Sequence, residues 1–267
     1  MPASAGPAAI DSHLFIVAPN NSGSTVLRNA ISASPAAWSL AREGQHVPGF
    51  SGPSTRGTGT RLIWASRPEG LARFAAPDAY DWTRTRRAWH FQARSGGEAP
   101  SVLVVSSPPF LFTVDALAEA FEASRFVFLV RNPYAIAEGI LRRASEQPIE
   151  PGEDIRTLAA RHVIACFEQQ RRNVEAHRHD GLLLRYEDLC ADPDTAAARL
   201  SGLMPPLGEL DLRAGAPAKG LYDEPLRDMN AQQLAALSPQ DIAILNRLFE
   251  PAAELLAWFG YERLSHG

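Results

Sequence analysis

The sequence predicts an α/β protein built on a parallel β-sheet flanked by helices on both faces. Short, unbroken apolar runs of strand length recur along the chain, as at residues 13–18 (HLFIVA), 102–105 and 126–130. Stretches with helical spacing alternate with them. The first run also breaks at Pro19-Asn20-Asn21-Ser22-Gly23 and passes straight into a helix-compatible pattern, Val26, Leu27, Ala30 and Ile31.

Each further element has its own signal. Residues 38–40 form a short second strand. Residues 47–100 differ in kind: they are rich in Gly, Pro, Ser and Arg, with Trp64, Trp82 and Trp89 spread through them. Their weak periodicity predicts a long, partly helical insertion that covers a site. Regularity returns with a strand at 102–105 and a helix at 114–121. A strand at 126–130 leads into a helix at 133–143 that opens on proline, whose missing N–H costs nothing there. A long amphipathic helix at 154–178, a strand at 182–184, and helices at 194–203 and 239–259 complete the chain. No internal repeat or polar linker divides it, so residues 1–267 are expected to form a single domain.

Composition narrows the function. The net charge of −4 argues against coating nucleic acid, while leaving room for a local basic pocket. Only Cys166 and Cys190 are present, outside any CxxC or zinc-ligand spacing, which fits a reduced, cytoplasmic setting. The first ten residues lack the basic and apolar regions of a signal peptide, and no apolar run is long enough to span a bilayer. Of the 26 basic residues, 25 are arginine and Lys219 is the single lysine. Any chemistry that needs a lysine elsewhere is therefore excluded.

The loop at residues 19–25 is the first candidate site. A strand-to-helix junction presents unpaired N–H groups and the positive end of a helix dipole, which suits an anion. Gly23 lets backbone approach closely, and Ser22, Ser24 and Thr25 add hydroxyl donors. The loop is not a Walker A motif, which would need glycine at Ala18 and lysine at Ser24. Taken alone, its residues suit a helix cap as well as a ligand site.

Further motifs follow in order. FVFLVRNPYAIAEG (residues 126–139) is a strand ending in Arg131-Asn132-Pro133 and leading into a helix. LLLRYEDLCADP (residues 182–193) is another strand with a polar exit, in which Tyr186 is amphipathic and Glu187 and Asp188 read as caps of the next turn. Lys219-Gly220 comes late, and Trp258-Phe259-Gly260-Tyr261 closes the pattern.

Together these segments resemble the family of sulfotransferases that use 3′-phosphoadenosine 5′-phosphosulfate (PAPS). Ser22-Gly23-Ser24-Thr25 match the 5′-phosphosulfate loop, commonly [KR]-S-G-[TS]-T, with Asn21 in the basic residue's place. Arg131 falls on the arginine of the 3′-phosphate motif, with Gly139 where a serine is expected eight positions on. YEDL is common in bacterial members, and Lys219-Gly220 matches, loosely, a late Lys-Gly that reaches the nucleotide phosphate.

The resemblance implies a P-loop-like sulfotransferase fold, PAPS as donor, 3′-phosphoadenosine 5′-phosphate (PAP) as product, and no metal. It implies transfer of a sulfuryl group to a hydroxyl, or an amine, of a small molecule or carbohydrate. It puts Arg131 on the 3′-phosphate and Tyr186 at the adenine. Glu43, just past the second strand, matches the glutamate base of one branch, and His46 is its competitor. The family's lysine after the third strand falls at Ser106 or Ser107. Neutral donors Asn21 and Ser106, or an arginine from the insertion, must then serve. The alternative is a catalytically impaired nucleotide-binding or interaction protein on the same fold. Arg84, Arg86, Arg87 and His90 suit either an anionic acceptor or a solvated face. A homodimer is compatible with the sequence.

Overall fold

The computed structural model describes residues 10–56, 61–95, 100–213 and 226–265. Five strands pair in parallel, Ser12–Val17 (β1), Ala37–Ser39 (β2), Val102–Ser106 (β3), Ser124–Val130 (β4) and Gly181–Arg185 (β5). Their order is β2-β3-β1-β4-β5. The chain leaves β1 toward one edge, returns beside it, and then builds the other edge. β1 is thus the point where the winding reverses, and ligands bind such sheets at the carboxyl ends of the strands beside that point. Ile16 pairs with Ser106 and Val17 with Phe128, so the carboxyl ends of β1, β3 and β4 lie together.

Eleven helices are described: Ser24–Ile31 (α1), Pro68–Ala75 (α2), Trp82–Ser95 (α3), Val114–Ala120 (α4), Pro133–Leu141 (α5), Ile155–Ala176 (α6), Tyr186–Ala191 (α7), Pro193–Leu203 (α8), Asn230–Ala235 (α9), Pro239–Phe249 (α10) and Ala253–Trp258 (α11). No described helix is long and apolar enough to cross a membrane.

Alternation along each strand sends side chains to opposite faces. Phe15, Val17, Leu103, Val105, Phe126 and Phe128 face one core. Leu14, Ile16, Val102, Val104, Val127 and Leu129 face another, closed by α1 and α8 through Leu27, Ile31, Ala197 and Leu200. Burying one such large apolar side chain contributes about 1.5–3 kcal/mol, so each face holds its helices firmly.

The segment 47–100, irregular in sequence, does more than cover a site. Trp64, Phe74, Tyr80 and Trp89 are buried in the first core against Phe15 and Phe110. Aromatic volume replaces periodicity as the ordering force there, so the segment carries no regular apolar spacing. The expected helix at 239–259 is instead two helices, because Pro251 has no N–H for the ladder and a 3₁₀ turn at Glu250–Ala252 intervenes. α9 had no strong periodic signal at six residues.

Two histidines lie in these cores. His162 is fully buried and accepts the Ala65 N–H at 3.2 Å through Nδ1. Burial lowers its pKa to about 3. His13 stacks on His90 with 2.9 Å between the two Nε2 atoms, and burial, then His90, lowers its pKa to about 4. Below pH 6.5 the unfolded chain takes up protons that these folded rings refuse. Their contribution to stability is therefore complete above pH 6.5 and lost as the pH falls. Each should cost about 1.4 kcal/mol per pH unit across that window. Urea unfolding at pH 7 and pH 5 measures the slope, and the double variant His13→Gln, His162→Gln should flatten it.

Candidate active site

The loop after β1 turns on two left-handed residues, Asn21 at φ 63° and Gly23 at φ 86°. Such alternation gathers successive N–H groups into an anion-binding concavity, and asparagine tolerates the conformation better than most residues. A Cβ on Gly23 would lie 2.6 Å from the Tyr186 ring, so both backbone angle and space require glycine. No side chain caps α1, whose first-turn N–H groups face the same loop. Ser22 Oγ is buried and has no partner among the described residues, an expensive state for a hydroxyl unless a ligand completes it. Ser24 and Thr25 form the first turn of α1.

Arg131 reaches this loop from the end of β4. Its Nη1 donates to the Asn21 carbonyl at 2.9 Å, its Nε donates to Asn230 Oδ1 at 2.7 Å, and its Nη2 donates to Gln233 Oε1. Its guanidinium carbon stands 4.1 Å from the centre of the Tyr186 ring. Among the described residues its direct partners are neutral amide and carbonyl oxygens together with an aromatic face, with no carboxylate in contact. Burial lowers its pKa, but an arginine remains a cation. The cavity beside it holds about 460 Å³ and is lined by Asn21, Gly23, Arg131, Arg142, Met229 and Gln233, among others.

Tyr186 lies against Gly23, and its hydroxyl donates to the Arg227 carbonyl at 2.5 Å. Glu187 does not cap the turn that follows it, correcting the sequence expectation. It accepts from the Asn132 N–H at 2.8 Å, from Asn230 Nδ2 at 2.7 Å and from the Tyr261 hydroxyl at 2.8 Å. One carboxylate thereby ties β4's exit to α9 and the chain's end.

Asn21 and Gly139 are in contact. A Cβ at Gly139 would meet Asn21 Nδ2 at 2.7 Å, so the asparagine side chain fills the space above the glycine. Asn21 Oδ1 accepts from Arg143 Nη2, just beyond α5. Burial, and then Arg142, lower the Arg143 pKa. A guanidinium thus stands at the tip of the Asn21 side chain.

The remaining candidates lie on the β3 side, outside the cavity. Glu43 precedes a 3₁₀ turn at Gly44–His46, and its Oε2 accepts from Gln45 Nε2 at 2.8 Å. His46 Nδ1 is 3.7 Å from the same oxygen, and its Nε2 lies 3.4 Å from Thr55 Oγ1. Burial lowers the His46 pKa, opposed by Glu43 and helped by Arg61. Ser106 Oγ accepts from Arg28 Nη1 at 3.4 Å, while Ser107 Oγ is buried without a partner.

The structure also separates some residues from the site. His90 and Arg86 sit at the amino end of β1, where His90 pairs with His13 and Arg86 reaches the Ala120 carbonyl at 3.4 Å. They are at the wrong end of the sheet to meet a ligand at the loop. Lys219 and Gly220 lie outside the described residues.

Sequence reasoning missed Arg28, Arg143, Asn230 and Gln233. Arg28 had a signal: a lone arginine among Val26, Leu27, Ala30 and Ile31, with no acid three or four residues away. The insertion is fastened to the loop by Trp64 Nε1, which donates to Asn20 Oδ1 at 2.7 Å. Among the described residues, no three His, Cys, Asp or Glu side chains group as a metal site.

A model of the sulfotransferase family matches residues 13–203. Among solved structures, the chain is similar to a sulfotransferase from Alicyclobacillus acidocaldarius, at 15% identity and TM-score 0.55, over 95% of this chain and 97% of that one. It is also similar to the sulfotransferase domain from the curacin biosynthetic pathway, at 18% identity and TM-score 0.53, over 96% and 100%. A sulfotransferase from Mycobacterium avium gives 16% identity and TM-score 0.52, over 96% and 78%. At such identities the likeness is one of fold. No curated protein sequence matches the chain. The family match covers well over half the chain, so the protein belongs to the sulfotransferase family and carries its P-loop-like α/β fold.

Proposed function

We infer that the protein is a PAPS-dependent sulfotransferase acting on a hydroxyl, or an amine, of a small molecule or carbohydrate. One observation carries the reading most: Arg131 Nη1 touches the Asn21 carbonyl at 2.9 Å, joining the two nucleotide motifs across 110 residues. A left-handed loop with an orphaned hydroxyl, joined through the Asn21 carbonyl to a guanidinium that no described carboxylate contacts, supports a ligand with two separate phosphates.

In this reading the N–H groups of the loop, with Ser22, Ser24 and Thr25, hold the 5′-phosphosulfate. Arg131 reads the 3′-phosphate. Tyr186 holds Gly23 in place and borders the nucleotide base. The bound nucleotide supplies the sulfuryl group: the acceptor oxygen bonds to sulfur as the S–O bond to the 5′-phosphate breaks, its electron pair leaving with the phosphate. Glu43 takes the acceptor's proton, with His46 as competitor, and Asn21 and Ser106 line the path as neutral donors. Positioning and fixed charge supply most of the rate in such transfers.

PAP should raise the melting temperature, since a ligand of the native state adds RT ln(1 + [L]/Kd) to stability. At ~100-fold excess over Kd that is about 2.7 kcal/mol. A thermal-shift titration checks it, and no shift at millimolar PAP would overturn the donor assignment.

A further inference from the structure

We propose that Arg28 grips the sulfuryl group, supplying from α1 the positive charge that the sequence lacks after β3. The proposal rests on the donor reading above and adds to it the residue that meets the transferred group.

Arg28 is 8% exposed, yet none of the described ion pairs includes it. Among the described residues its side chain makes one hydrogen bond, from Nη1 to Ser106 Oγ at 3.4 Å, and its Nε has no partner. A buried cation left in that state is costly, and proteins keep such groups where a ligand's charge completes them. Two further buried groups lack a partner among the described residues: Ser22 Oγ in the loop and Ser107 Oγ after β3. Three orphaned polar groups from three elements thus belong to the loop, the first turns of α1 and the end of β3.

Direction follows from helix geometry. A long side chain on a helix points back toward the amino end, so the Arg28 guanidinium lies toward the loop from which α1 starts. Ser106 closes β3 and pairs in register with Ile16, one residue from the end of β1. The guanidinium therefore stands at the carboxyl edge of the sheet, where Glu43 also arrives after β2. Burial lowers the Arg28 pKa and the Glu43 carboxylate opposes that shift, with no ion pair between the two. An anion between the loop and Ser106 would give Nε its partner and set the charge beside the acceptor side of the site. Arginine suits this task through its fixed fork and permanent charge.

The test compares PAP with PAPS, which differ by the sulfuryl group. Calorimetry on the native protein and on Arg28→Met should show PAP affinity within about threefold of native and PAPS affinity reduced tenfold or more. The melting temperature of the variant without nucleotide should hold or rise, because an unsatisfied charge has been removed. Equal losses for PAP and PAPS with a lowered melting temperature would show a structural arginine and overturn the proposal, as would no change in either affinity. Should Arg28→Met fail to fold, Arg28→Gln carries the same comparison. A native protein that binds neither nucleotide overturns the donor reading, and the proposal with it. A native protein that binds both, with an Arg28 variant that keeps their ratio, overturns the proposal alone.

Discussion

Glu43→Gln should bind PAP like the native protein and turn over PAPS roughly 10²–10⁴ more slowly. The side chain follows β2 at the carboxyl edge of the sheet and lies outside the cavity that Arg131 lines, so the nucleotide pocket should not register its loss. Glutamine keeps the shape but cannot accept the proton of an acceptor hydroxyl. Its amide can still pair with Gln45, which holds the turn at present. The companion variant is His46→Ala. His46 stands behind Glu43, with its Nε2 toward Thr55, and should have the smaller effect on turnover. Single-turnover kinetics with PAPS and a panel of hydroxyl acceptors make the comparison. Loss with His46→Ala and near-native turnover with Glu43→Gln would move the base to His46.

Arg131→Ala should separate two nucleotides. Binding of PAP should weaken tenfold or more, whereas a nucleotide without the 3′-phosphate should lose far less. The variant also strips partners from Asn230, Gln233 and the Asn21 carbonyl, so some loss of stability, about 1–3 kcal/mol, is expected. That shared loss acts on both nucleotides alike, and their ratio isolates the phosphate contact. Equal weakening would show that Arg131 shapes the loop without reading the 3′-phosphate.

The sheet was legible in the sequence because its strands are buried on both faces and read as unbroken apolar runs. Phe126 to Val130 is the plainest case, and the observed strand extends it by two residues to Ser124. The loop and Arg131 were legible for a different reason: glycine at a forced turn and arginine at a strand end are residue types that the local geometry demands. What escaped was long-range. Nothing local announces that Glu187 will meet Tyr261, or that Asn230 and Gln233 will meet Arg131. The helix carrying those amides has six residues, too few for periodicity to show. The aromatic segment before β3 escaped because its order comes from Trp64 and Trp89 packing into a core shared with distant strands.

The contact between Asn21 and Gly139 makes the two positions interdependent. A side chain at 139 and the amide at 21 compete for the same volume, so what one position tolerates depends on what stands at the other. Gly139→Ser would find its space filled, and Asn21→Arg would point a second positive charge at Arg143. Shortening residue 21 should relieve the crowding at 139, so the two substitutions should be non-additive in stability, as residues in contact generally are.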